Sequence, residues 1–273
     1  TVEIAMAARF AEVRPNDGFD RFASPNWQMV PVGGFKMVFL LDAAGLSVAS
    51  SNTAVATVRT SSILGLRILT ITGVRAGTCQ IQVGLGPLFD AVLDISVKNK
   101  RTVRTTFHYV DDGRVQKTAR QIADLNDLII AANRILSPQA NIEISRHGAA
   151  PLRIAQNLRR VVRFSSHLPG VAARQHEWDI VTSHADRTAD FNVFFVKEYE
   201  QDRTPLRDDT EAGTLGGSCI FEDNTVDPAG LVLAHELLHH LGVDHTNNRR
   251  DLMFDGSPSG SFIPKDHANT ANP

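Results

Sequence analysis

The sequence predicts a multidomain chain, with an all-β sandwich in the N-terminal half and an α/β domain of one mixed, twisted sheet plus helices behind it. Three observations carry this expectation. Residues 22–98 read as short β-runs separated by turn signals; "VKNKRTVRT", residues 97–105, is polar and basic as a linker is; and beyond it apolar residues recur at helical spacing between strand-like runs. The domains are therefore expected at 1–99 and 100–273. With 273 residues, 42% of them hydrophobic, the chain is long enough for two modest cores.

In the first half the β-runs are "QMVPVGGFKMVFLLDAAG", "TAVATVRT", "LRILTITGVRAGT", "CQIQVGLG" and "FDAVLDISVK". In "CQIQV" Cys79, Ile81 and Val83 share one face and Gln80 and Gln82 the other, which assigns Cys79 to the core. Residues 1–21 add an edge strand or pack as an arm. The stretches "VPVGG", "SVASSNTAVATV" and "ILTITGVRAGTCQIQV" resemble the bacterial Ig-like domains of surface proteins. That resemblance implies a sandwich fold and a secreted or cell-surface setting, and it leaves open a cell-surface or matrix ligand for this half.

In the second half "FHYV" reads as a strand. "VQKTARQIADLNDLIIAANRIL" then carries an apolar stripe through Ile122, Leu125, Leu128, Ile129, Ala132 and Leu136, which predicts a helix. "ANIEISRH" and "FNVFFVKEYE" read as further strands. Asp227 followed by Pro228 is an N-cap with proline at the first helical position, and Gly242 is the next break, so a second helix is expected over 228–241.

That helix carries "HELLHHLGVDH". His235 and His239 are four residues apart and share one face, able to present imidazole nitrogens to a single ion. Glu236 lies about 100° further round and reaches the same cleft without coordinating. Were the helix to continue, His245 would lie roughly 15 Å along the axis from His235. Gly242 can instead take a left-handed conformation and return the backbone, delivering His245 as third ligand. Three neutral imidazoles leave a fourth zinc position for water, which is the arrangement of a catalytic site. With 10 histidines in the chain, H-E-x-x-H arises by chance in roughly one such sequence in a hundred, and the added Gly and His lower that about 400-fold. "QHEWDI" is an internal control: His176 and Glu177 have no second histidine at the spacing and read as surface.

The pattern H-E-x-x-H-x-x-G-x-x-H, with Met253 eight residues after His245, resembles the metzincin zinc metalloproteases, most of all the fragilysin type and also the pappalysins. The resemblance is strong over 227–256. It implies a metzincin-type catalytic domain over 100–273, a Zn2+ cofactor on His235, His239 and His245, Glu236 as catalytic general base toward zinc-bound water, and Gly242 and Met253 as structural residues of the site. Leu238 replaces a glycine often found before the second histidine, and Phe254 and Asp255 stand where some members carry a tyrosine ligand. His240 points off the ligand face and reads as solvated or as a neighbour of the ligands. Asp244 and Asp251 read as turn residues, one of them able to orient a ligand. "TLGGSCIFEDN", 214–224, falls where the family carries its substrate-binding edge strand, and makes Cys219 a core or rim thiol. Residues 1–98 offer no latency motif, so the N-terminal half is not expected to plug the site.

The function expected is that of a zinc endopeptidase acting on protein or peptide substrates. Two rivals stand beside it: a catalytically silent binding or adhesion protein with a retained zinc site, and a narrow-specificity exopeptidase. A net charge of −2 offers no basic field for nucleic acid, and no apolar run approaches the roughly 20 residues that span a bilayer. "TVEIAMAARF" lacks the basic flank and apolar core of a secretion signal. Cys79 and Cys219 leave two thiols or one bridge equally open.

Overall fold

The computed structural model describes residues 7–85, 88–164, 177–200 and 211–273; His176 lies outside them. Contacts divide the chain into two compact units, one of residues 1–101, 136–142 and 262–273, the other of 102–135 and 143–261.

The first unit holds strands β1 (Arg9–Glu12), β2 (Phe19–Asp20), β3 (Asn26–Pro31), β4 (Phe35–Leu41), β5 (Ser47–Ser50), β6 (Ala56–Ile63), β7 (Leu66–Gly73), β8 (Gly77–Leu85) and β9 (Leu88–Lys98). They make a four-stranded sheet, β1-β4-β7-β6, and a five-stranded sheet, β2-β3-β9-β8-β5. Alternation explains the core. Val38, Leu40, Leu69 and Ile71 from one sheet meet Cys79, Ile81, Val83, Leu93 and Ile95 from the other, and Gln80 and Gln82 stay on the outer face. Cys79 is a buried free thiol. The buried Trp27 indole donates to Ser96 Oγ at 2.8 Å, so its ring enters the interior without an orphaned N–H.

The tail of the chain belongs to this unit as well. Its short helix, Lys265–Ala271, is preceded by the Ile263 amide, which donates to Gln139 Oε1 at 2.9 Å; the Lys265 amide donates to Asp20 Oδ2 at 3.0 Å and its ammonium to Asp94 Oδ2 at 2.9 Å. Asn272 donates to the carbonyls of Asn99 and Ala140, and the Lys98 ammonium donates to the Asn272 carbonyl.

From Arg101 onward the strands are β10 (Arg101–Asp111), β11 (Ile142–Arg153), β12 (Val162–Arg163), β13 (Phe191–Val196), β14 (Tyr199–Glu200), β15 (Ala212–Leu215) and β16 (Ser218–Glu222). The helices are α1 (Leu125–Ala140), α2 (Glu177–Thr182), α3 (Ala229–His240) and, in the tail already described, α4 (Lys265–Ala271). One sheet runs β11-β10-β13-β16-β15, and β12 and β14 form a separate parallel pair. β13 is parallel to both β10 and β16, and β15 is antiparallel at the edge. All six residues of β13, "FNVFFV", are buried, as expected of a strand covered on both faces. On one face Phe194, Val196 and Ile220 pack with Trp178, Val181 and Leu158; on the other Phe195 meets Phe107 and Phe221.

The expected division into an all-β half and an α/β metzincin-type half is corrected here. The described residues are mostly β, 44% strand against 18% helix, and their strands form four sheets. The physical reasons lie in contacts with residues distant in the sequence. "VQKTARQ" does not extend the first helix, because its groups are engaged elsewhere: Gln116 bonds the backbone at Arg160, Lys197 and Glu198, and Asp223 accepts from Thr118 Oγ1 and from the Ala119 amide. The cation of Arg120 lies over the Phe195 and Phe221 rings, 5.3 and 4.5 Å from their centroids, so α1 starts only at Leu125. "ANIEISRH" grows into a strand of twelve residues, and Gly216 and Gly217, at φ +59° and +82°, close a two-residue hairpin that makes strands of 212–222.

Candidate metal centre

α3 starts at Ala229, with the Pro228 carbonyl accepting from the Leu231 and Val232 amides. Asp227, expected as the N-cap, accepts instead from the Ser259 amide at 3.1 Å. Gly230 allows close approach to α1: a Cβ there would stand 2.4 Å from Ala131 Cβ. The far end closes as a Schellman turn, the Gly242 amide donating to the His239 carbonyl and the Val243 amide to that of Leu238, both at 3.0 Å. Gly242 has φ +88°, the left-handed value that lets the chain double back at this point.

That turn brings His245 to the helix. The Nε2 atoms of His235, His239 and His245 lie 2.9 to 3.1 Å from one another. His235 Nδ1 is 2.7 Å from the Leu252 carbonyl and His239 Nδ1 is 2.8 Å from the Val243 carbonyl. A carbonyl only accepts, so both Nδ1 atoms carry the proton and both Nε2 atoms present lone pairs. Lone pairs converging at this distance repel unless a cation lies among them, and the spacing is close to the roughly 3.3 Å between ligands set 2.0–2.1 Å from a tetrahedral zinc. The donor set fits zinc, and these three residues can hold it. His245 Nδ1 is 3.6 Å from Asp255 Oδ1. Burial, reinforced by His239, lowers the basicity of His235 to a pKa of about 4, and burial likewise lowers that of His239, which keeps both neutral.

Glu236 is buried between the ligands and the edge strand. Its Oε2 accepts from Thr214 Oγ1 at 2.6 Å, and burial, partly offset by this bond, pushes its pKa up to about 7. Met253 is fully buried, and its carbonyl accepts from the Thr246 amide at 2.7 Å; the Asp255 amide returns a bond to the Thr246 carbonyl at 3.0 Å. Asp251, bonded to Asn248 and Thr246, shapes this turn, which aims the Leu252 carbonyl at His235. Leu238 is wholly buried, on the flank of the helix opposite to Glu236.

His240 is half-buried with its ring stacked on Phe191, centroids 4.8 Å apart, where the sequence suggested a solvated residue or a neighbour of the ligands. β16 is an interior strand; the edge is β15, one hairpin arm earlier than expected. Cys219 is fully buried, and burial drives its thiol pKa well upward, so it is an inert interior group. Sequence reasoning missed Thr214 and the carbonyls of Leu252 and Val243. The first lay inside the stretch singled out as the edge strand, but backbone carbonyls leave no mark in a sequence.

A cleft of about 510 Å3 runs along this centre between β15, α3 and residues 254–259. In β15 the Glu211 carbonyl accepts from the Glu222 amide, so Gly213 and Leu215 also face β16, and Ala212 and Thr214 turn their backbone N–H and C=O outward.

No protein-family model and no curated protein sequence matches the chain. Among solved structures it is similar to domains 4 and 5 of the S-layer protein SbsC, with 25% identity over 25% of this chain and 45% of that one and a TM-score of 0.20. It is also similar to the Escherichia coli adhesin FdeC, at 17% identity over 35% of this chain and 31% of that one and a TM-score of 0.24. A chaperone–substrate complex matches at 10% identity over 74% of this chain and 37% of that one, with a TM-score of 0.38. The chain thus spans less than half the length of each of these three matched chains. No described helix is long and apolar enough to cross a membrane.

Proposed function

We propose that the chain is a zinc-dependent endopeptidase that hydrolyses peptide bonds of proteins, with water as nucleophile and Glu236 as general base. One observation carries this reading: three ring nitrogens converge within 3.1 Å beside a buried carboxylate, at a cleft bounded by an edge strand. The motif resemblance to metzincin peptidases supports it, as does the absence of any protein donor to bring the three imidazoles to four ligands among the described residues.

Zinc, when held by His235, His239 and His245, supplies a Lewis acid that polarises a carbonyl and acidifies water. The chain's own groups do the rest. The outward backbone of Ala212 and Thr214 pairs with an extended peptide as an added strand and fixes the carbonyl to be attacked. Glu236 takes the proton from the attacking water and returns it to the leaving amine, a role worth typically about 10²–10⁴-fold. Thr214 holds the carboxylate that does this. The reading includes a secreted or cell-surface location, which rests on the Ig-like motifs of residues 22–98.

The test is direct. Purified protein carries one zinc per chain by elemental analysis, chelation abolishes hydrolysis of an unfolded protein, and zinc restores it. Glu236→Ala keeps the zinc and loses at least about 10²-fold in turnover. Full activity in a metal-free preparation sinks the reading.

A further inference from the structure

One edge of the four-stranded sheet is open. In the order β1-β4-β7-β6 the strand β6 is bonded to β7, and no described strand lies along its other side. Residues 59–66 are exposed, Ile63 by 57% and Leu64 by 98%. β6 has eight residues, whereas β1 and β5 have four and β2 has two, and these are the other described edges of the two sheets in this unit. Natural edges are blunted by proline, lysine or a bulge, and β6 has none of these. Its sequence is "ATVRTSSI", its one charge is Arg59, and its register runs unbroken from Ala56↔Gly73 to Ile63↔Leu66.

The ladder decides which backbone groups face outward. The Val55 carbonyl accepts from the Val74 amide at 2.8 Å, and Leu64 and Gly65, at φ +50° and +80°, close a two-residue turn beside the Ile63↔Leu66 pair. Odd-numbered residues therefore bond to β7, and Val58, Thr60 and Ser62 turn their N–H and C=O away from it. The Ala56 amide is spent on the Asn52 carbonyl at 3.1 Å. An extended strand completes such an edge, and the residues here suit a second β6. One antiparallel register satisfies all three outward residues: Thr60 lies opposite Thr60 of the second copy, and Val58 opposite Ser62. Sliding by two residues sets Ser62 against the occupied Ala56, or Val58 against Leu64 of the turn. In the favoured register Arg59 faces Ser61 of the second copy, not Arg59, and Ile63 faces the Thr57 methyl, so like charges are never directly opposed.

We infer that β6 is a self-association edge, through which two copies of the chain join their four-stranded sheets into one, with Thr60 on the two-fold axis. The inference does not depend on the metal centre. An edge of this length covers less than the roughly 800 Å2 per partner of a stable complex, so the dimer forms and dissociates with concentration. Sedimentation of the full chain is expected to show a monomer at about 10 μM and a substantial dimer by about 1 mM. Thr60→Pro is expected to stay monomeric over that range with a thermal midpoint within about 3 °C of the parent, because the N–H it removes points away from β7. Thr60→Lys, which would set two ammoniums on residues whose Cβ atoms are about 4.5–5.5 Å apart, is expected to stay monomeric too, and decides the matter if the proline variant does not fold. Cys79 and Cys219 are buried, so Thr60→Cys supplies an accessible thiol. A short bismaleimide is expected to link two copies of it at least tenfold faster than two copies of Thr57→Cys, whose thiols would lie about 20 Å apart along the paired strands. A parent chain that is monomeric at about 1 mM overturns the inference. So does a dimer that survives Thr60→Lys, or equal crosslinking at the two positions.

Discussion

Thr214 Oγ1 lies 2.6 Å from Glu236 Oε2, and this bond joins the edge strand β15 to the helix α3 that carries His235 and His239. A buried carboxylate with one strong donor has its orientation set by that donor, and a hydrogen bond to a charged group contributes about 1.5–3 kcal/mol.

Thr214→Val should therefore keep zinc and lower kcat by about tenfold or more, with KM changed less, because it removes the donor and keeps the shape. Thr214→Ser should restore most of the loss. Steady-state kinetics alongside zinc content decides it; an unchanged kcat in the valine variant would mean that Glu236 is positioned by its burial alone.

Gly242 offers a second check. Its φ of +88° is one an L-residue adopts at roughly 1–2 kcal/mol, and no atom lies within 4 Å of where a Cβ would stand. Gly242→Ala thus tests conformation without a clash: a thermal midpoint about 2–4 °C lower per kcal/mol is expected. Zinc affinity should fall as well, because the same turn delivers His245. Gly242→Asn should be milder on both counts, and if alanine leaves zinc affinity unchanged, the turn is not what places His245.

Gly230 fails for the opposite reason. A Cβ there meets Ala131 Cβ at 2.4 Å, so α3 must move away from α1 to admit any side chain. Gly230→Val is expected to cost about 1–3 kcal/mol or more by overpacking, and to disturb zinc binding five residues downstream. Thermal melts of apo and zinc-loaded protein measure both effects.

Acid should loosen the start of β13. Asp190 accepts from the Arg104 guanidinium at 2.9 and 3.1 Å, and Asp186 from Thr188 and Thr106; these bonds hold both carboxyls down to a pKa of about 2. A folded-state pKa below the unfolded value of about 3.9 means stability that is present above pH 4 and lost as pH falls toward 2. Both groups are exposed and screened, so the slope is modest. Asp190→Asn should flatten the stability profile between pH 4 and 2 and leave it unchanged near pH 7 apart from the lost pair; an unaltered acid limb would show that the Arg104 pair is not linked to folding.

What could be read in the sequence and what could not follow from the range of the forces involved. The helix with His235 and His239 and the turn at Gly242 are dictated by spacing within eleven residues, and the core of β8 by simple alternation. Apolar periodicity predicted α1 correctly from Leu125 onward and failed before it. Thr118, Ala119 and Arg120 answer to Asp223 and to the Phe195 and Phe221 rings, 75 to 105 residues away. The balance of strand over helix escaped for the same reason: β12, β14 and β15 are two to four residues long and exist only through their partners. Thr214 was inside the stretch marked as the edge strand, yet its role depends on a side chain 22 residues on.

The polar stretch at 97–105 invites a cut at Thr102. The unit containing residues 1–101 also includes 136–142 and 262–273, so the cut runs through a compact body. Leu136, Ala140, Ile142, Ile263, Ala268 and Ala271 are all buried, and each larger side chain among them contributes about 1.5–3 kcal/mol by leaving water. Asp20, Asp94, Lys98 and Asn99, which hold Lys265 and Asn272, go with the deleted part. A fragment 102–273 is therefore expected to aggregate or to unfold without a cooperative transition. Removing 262–273 as well should improve solubility, since it takes away part of the newly exposed apolar surface. Size-exclusion chromatography and thermal melts of the two fragments test this directly. A monomeric 102–273 that melts cooperatively and binds zinc as tightly as the full chain would show that the tail and the end of α1 need no cover from residues 1–101.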